Sequence, residues 1–171
     1  LNDKAHGNGT YRHANGATYV GDWFEDKQMG GVETWPDGAR YDGSYKDGKK
    51  DGEGTLTFAD GSVYNGTFLQ NEISGSGKYI WPDGKTYNGE WEKNKMHGEA
   101  YSNGPMQEYK GHFFNDKRQG EGVFKWKDGR VYDGEWLDGK QHGKGTFIKV
   151  DGTRKIGVWE NGRNIQWLDN D

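Results

Sequence analysis

Cysteine is absent from the 171 residues, and proline occurs only three times. The first absence excludes a disulfide framework and thiolate metal sites, and it agrees with a cytoplasmic setting. Leu, Ile, Val and Phe together number 24, too few for an ordinary globular core and close to the composition of chains that stay unfolded. No apolar run approaches the ~18 residues of a membrane-crossing helix, and the start is not signal-like. A formal charge of −4 and a pI near 5.8 supply no broad positive field, which speaks against a sequence-independent grip on nucleic acid.

What the chain has instead is glycine and large rings: 30 Gly, 8 Trp and 10 Tyr. They recur in phase as Tyr19-x-Gly21-x-Trp23, Tyr41-x-Gly43-x-Tyr45, Tyr64-x-Gly66-x-Phe68, Tyr87-x-Gly89-x-Trp91, Tyr109-x-Gly111-x-Phe113 and Tyr132-x-Gly134-x-Trp136. The steps are 22, 23, 23, 22 and 23 residues, and a fading copy follows at Lys155-x-Gly157-x-Trp159. A fixed period of this size predicts a repeat array in which each unit buries its face against its neighbours. Such an array is counted as one domain over residues 1–171, with about seven repeats. Each Trp or Tyr can bury roughly 150 to 250 Å², so order is expected in a thin structure held together by rings.

Within one unit the order is Tyr64-x-Gly66-x-Phe68, a polar loop, Gly75-x-Gly77-x-Tyr79-x-Trp81, then Pro82-Asp83-Gly84. Short alternating segments bounded by Asp-Gly punctuation predict two strands per repeat joined by tight turns. Side-chain parity selects the turn. A two-residue loop at Asp60-Gly61 would put the rings of adjacent strands on opposite faces. A three-residue loop, Ala59-Asp60-Gly61, pairs Phe58 with Ser62, Leu56 with Tyr64, Gly54 with Gly66 and Gly52 with Phe68, so the large residues share one face. A regular row of in-strand glycines then implies rings lying over glycine tracks. At ~9.6 Å per two-strand repeat, about seven repeats make a twisted ribbon ~65 Å long. The expected fold is an all-β, elongated, single-layer antiparallel ribbon of hairpins.

Tyr-x-Gly-x-Trp followed by Asn/Asp-Gly-Lys-x-His-Gly-x-Gly and Asp-Gly resembles the MORN (membrane occupation and recognition nexus) repeat family. The fullest copy is Tyr132-Asp133-Gly134-Glu135-Trp136-Leu137-Asp138-Gly139-Lys140-Gln141-His142-Gly143-Lys144-Gly145. The resemblance implies a single-layer ribbon and a non-catalytic assembly module, in a cytoplasmic setting at the cytoskeleton, a cilium or a membrane. Four departures stand out. Asn103-Gly104-Pro105-Met106 replaces an Asp-Gly turn, and Ala100 replaces a glycine, so a bend or fraying is expected there. Met29 occupies a glycine slot. Lys155 replaces the leading Tyr, and residues from about 155 to 171, with Trp159 and Trp167, look like a terminal cap. Leu1 to Gly7 aligns with Leu137 to Gly143, which predicts a start in mid-repeat.

Several sharper readings compete with this one. His6, His97 and His142 share a slot, but two repeats separate the last pair, ~19 Å at strand spacing, against the ~2 Å at which zinc holds imidazole. No metal or cofactor is therefore expected, and hydrogen bonding within loops is. Gly-x-Gly inside a strand opens no helix and cradles no phosphate, and no acid pair or Ser, His and Asp set stands apart from the repeat, so catalytic residues are none. The leading Tyr and closing ring of the six copies, Tyr19 and Trp23 through Tyr132 and Trp136, are expected mostly to hold the ribbon together, and they also form the predicted trough for a protein partner, a helix or an extended peptide, because a one-layer sheet leaves much of its ring face open. The alternative is a phosphoinositide or anionic-membrane module of a larger protein, with Lys49, Lys50, Lys93, Lys95, Lys117 and Arg118 as the lipid-facing edge. Acids on that edge, Asp47, Glu92, Asp116 and Asp138 among them, cancel much of its field.

Overall fold

The computed structural model describes residues 6–168. The expected half-repeat at Leu1 to Gly7 falls largely outside the described residues, as do 169–171 of the expected cap. Two compact units divide the chain, Leu1–Asp83 and Gly84–Asp171. The first contains β1 (Gly7–Arg12), β2 (Thr18–Phe24), β3 (Lys27–Thr34), β4 (Arg40–Lys46), β5 (Lys49–Thr57), β6 (Val63–Leu69) and β7 (Glu72–Ile80). The second contains β8 (Thr86–Glu92), β9 (Lys95–Asn103), β10 (Gln107–Phe114), β11 (Lys117–Trp126), β12 (Val131–Leu137), β13 (Lys140–Ile148), β14 (Arg154–Glu160) and β15 (Arg163–Trp167). In each unit the strands pair antiparallel in chain order as a single layer, and there is no helix among the described residues.

Two kinds of turn alternate. The one after each second strand except β9 is the three-residue loop that parity selects: Leu56 faces Tyr64, Gly54 faces Gly66 and Gly52 faces Phe68. The Phe58 amide donates to Ser62 O at 2.8 Å and the Gly61 amide to Phe58 O at 3.0 Å. Gly61 takes φ +94°, a left-handed conformation that suits glycine, and the Asp60 carboxylate accepts the Ser62 amide at 2.8 Å.

The expected polar loop after each first strand is a tighter device. It is a two-residue turn with both residues at positive φ, as at Gln70 (48°) and Asn71 (70°), the turn whose twist matches that of the flanking strands. Lys49, Lys50, Lys95, Lys117 and Arg118 accordingly lie in strands and not in loops; of the six predicted edge cations only Lys93 sits in a turn.

Each second strand then carries a bulge. Phe68 pairs with Ile73 but Gly66 with Gly77, so three residues of β7 oppose Thr67 alone. The two glycines of Gly-x-Gly therefore do different work: Gly75 bends the strand at φ +90°, while Gly77 lies under the Tyr64 ring, where a Cβ would meet the Tyr64 hydroxyl at 2.2 Å.

The expected fraying near Ala100 does not occur. β9 pairs in continuous register with β10 and, apart from the bulge opposite Glu90, with β8, Ala100 facing Gly111 on one side and Gly89 on the other. The replaced turn closes through Gly104 N donating to Gln107 O at 2.9 Å. At Met29 the register shifts by one pair, between Asp22 and Trp23, and Gly30 supplies the carbonyl that meets the Tyr19 hydroxyl at 2.7 Å.

Candidate binding face

Tyr19, Tyr41, Tyr64, Tyr87 and Tyr132 are 0% exposed and Tyr109 is 2%. Each hydroxyl donates to the carbonyl three residues on, at 2.6–3.0 Å: Tyr19 to Asp22, Tyr41 to Ser44, Tyr64 to Thr67, Tyr87 to Glu90, Tyr109 to His112 and Tyr132 to Glu135. A buried phenol requires a partner. From the second of these repeats onward the accepting residue is the one at which the register shifts, so the hydroxyl satisfies a carbonyl where the ladder is interrupted. Burial pushes these phenols up, Tyr64 and Tyr109 to about 12.

The closing rings clasp the tyrosines edge-on. Tyr41 lies 5.2 Å from Tyr45 of its own repeat and 5.2 Å from Phe68 of the next. Tyr109 stands likewise between Phe113 and Trp136, and Tyr132 between Trp136 and Trp159. Such pairs contribute about 0.5–1.5 kcal/mol each beyond area burial.

The structure thus brings the predicted trough rings together, but not as open surface. Eleven of the twelve are buried and only Trp23 is half-buried. The expectation of an open face is corrected for these residues: each ring is covered by its neighbours, so in each unit they form a floor.

In each unit half-buried rings do stand on the same face, in the second strands or just past their ends: Trp35, Phe58, Tyr79 and Trp81 in the first, Trp126 and Phe147 in the second. The sequence reading placed Trp81 at the end of a strand and did not single these rings out for binding. The available signal was a ring two residues before Asp37-Gly38, Asp60-Gly61, Asp83-Gly84 and Asp128-Gly129.

The predicted lipid edge divides by parity. Lys49, Lys93, Lys95 and Lys117 are exposed, whereas Lys50 and Arg118 turn onto the ring face. Lys50 Nζ lies 4.9 Å over Trp35, and the Arg118 guanidinium lies 4.7 Å over Trp136 while donating to Gly139 O at 3.0 Å. Burial lowers the pKa of both. Their neighbours Lys49 and Lys117 take the opposite face because successive strand side chains alternate.

Glu33 occupies a slot that Leu56 and Phe124 fill elsewhere. It accepts a hydrogen bond from the Tyr45 hydroxyl and lies 3.6 Å from His13 Nε2. The burial of Tyr45, with the Glu33 bond second, raises its pKa. Two of the slot-sharing histidines pack on rings of the opposite face, His6 against Phe24 and His97 against Phe114. His6 Nδ1 also accepts the Glu25 amide at 3.4 Å.

The family model of the MORN repeat matches residues 1–18, 19–40, 41–63, 64–86, 87–100, 109–129 and 132–154. It passes over residues 101–108, where the ring pattern lapses. No curated protein matches the chain.

Proposed function

The chain belongs to the MORN repeat family, whose repeats occur in protein-interaction and membrane-associated proteins and are generally non-catalytic; from that premise we propose that it is a scaffold or assembly module that holds a helix or extended peptide of a protein partner along its ring face. The complex it serves is cytoskeletal, ciliary or membrane-associated. The supporting observation is the set of half-buried rings that each unit carries above its buried tyrosines, Trp35 and Trp81 in the first and Trp126 in the second. Partly buried aromatic and cationic side chains above a rigid floor are what interface anchors are made of.

Affinity capture at physiological salt, read by mass spectrometry, tests this. Partners held by the parent should be lost from a folded Trp35→Ala, Trp126→Ala variant and retained when Lys49, Lys93, Lys95 and Lys117 are reversed to Glu. Retention by the ring variant would sink the proposal.

A second reading, an anionic-membrane module, is favoured by the opposite face. Phe24, Phe114 and Leu137 are 56%, 48% and 42% exposed there, each paired across the ladder with a lysine, Lys27, Lys117 and Lys140. Apolar side chains interleaved with cations suit a lipid interface. Sedimentation with anionic vesicles at physiological salt, unaffected by the ring changes, would move the function to this reading.

A further inference from the structure

Two consecutive ring-face slots in β9 and its following turn depart from the rest. Ser102 stands opposite both Tyr87 and Tyr109, in the place that Phe124 takes between Tyr109 and Tyr132. Gly104, two residues on, stands where Trp126 follows Phe124. Phe124 and Trp126 pack together at 4.6 Å; at 102 and 104 there is no ring to do so. The register holds and the turn is closed by Gly104 and Gln107, so the strands do not collapse into the space. What remains is a cavity of about 270 Å³ walled by Ser102 and Gly104 and floored by Met96, Tyr109 and Phe113. That is below the ~300–1,000 Å³ of small-molecule sites, and suits one large side chain.

The rim is basic. Lys85 and Arg118 line the cavity with one acid, Asp116, whose carboxylate accepts the Met96 amide at 2.7 Å. Arg118 has been drawn out of water onto Trp136 and the Gly139 carbonyl. A cation so placed gains from a carboxylate brought to it, because a buried charge is costly until it is paired.

We propose that this cavity is an anchor site for one aromatic side chain of a protein partner, carried beside a carboxylate that meets Arg118. The incoming ring takes the place of the one missing at 102 and lies against Tyr109 and Phe113 as Phe124 lies against its own neighbours. This rests on the docking function above and assigns it a position and a partner chemistry.

Filling the slot tests it without breaking the fold, since Ser102→Phe copies Phe124 and Ser102→Leu copies Leu56; both should melt no lower than the parent. The probe is a displayed library of random peptides selected on the full chain. Peptides recovered on the parent should pair an aromatic with Asp or Glu. They should lose about 10-fold or more in affinity on either filled variant and on Arg118→Gln, the scale at which desolvated charge pairs act across an interface. Recovered peptides bound equally well by the filled variants, yet lost on Trp35→Ala or Trp126→Ala, would overturn the anchor site and leave the docking function standing. No peptide selected by the parent would overturn both.

Discussion

At the scale of the residue, the leading tyrosine combines two demands that a phenylalanine would split. Its ring fills the space above a glycine of the next strand, and its hydroxyl reaches the carbonyl where the ladder is interrupted. The recurrence of Tyr was legible in the sequence; the hydroxyl's partner was not, because it exists only once the bulge has shifted the register. A pH dependence follows. An unfolded tyrosine ionises near 10, and the folded Tyr64 and Tyr109 near about 12. Below pH ~10 both states are protonated and the contribution is fully present. Above it the unfolded chain gives up protons first, and stability falls as pH rises through about 12. In a spectrophotometric titration, tyrosinate absorbance should lag and rise largely together with loss of the β-sheet signal. Full ionisation near pH 10 with the sheet intact would contradict this.

At the scale of the strand and turn, the three-residue loop could be deduced because it alone puts the large side chains on one face. The two-residue turn was hidden. Its residues are as unlike as Glu25-Asp26, Gln70-Asn71 and Lys93-Asn94, and only Asp47-Gly48, Asp138-Gly139 and Asn161-Gly162 carry the usual signature. Missing it made strand residues look like loop, and so Lys50 and Arg118 look like edge. The glycine tracks were read correctly as close approach, but not as two jobs. The structure makes one consequence quantitative: a Cβ on Gly66 would lie 2.5 Å from the Gly77 Cα, 2.5 Å from Ser76 O and 2.6 Å from the Tyr64 hydroxyl. Two of these three are backbone, which cannot swing aside. Gly66→Val should therefore cost well over the ~1 kcal/mol of a typical point change, by prising β6 from β7. Thermal melting checks it, and a variant that melts with the parent would refute the close-approach account.

At the scale of the molecule, period and architecture were legible because each repeat restates them, and agreement between patterning, turns and packing is what makes a fold specifiable. The face available to a partner was not, since exposure depends on which ring covers which across strands, and that is a product of register. The replaced turn around Gly104 was visible as a departure, yet the missing ring at Ser102 and the space it leaves needed the neighbouring strands in place. The chain-order meander has a mechanical consequence. Tension applied between β1 and β7 of the first unit acts across the strands, so it loads ladder bonds a few at a time and does not shear a whole row at once. Each tyrosine with its clasping rings acts as a catch between one hairpin and the next. Single-molecule stretching should read a succession of low, evenly spaced yields, each releasing roughly 75 Å of chain for a repeat of this length, where one large rupture would mean that the catches do not act separately. A sheet of this kind is built to lengthen under load, one hairpin at a time, and to keep whatever it holds on the hairpins that have not yet opened.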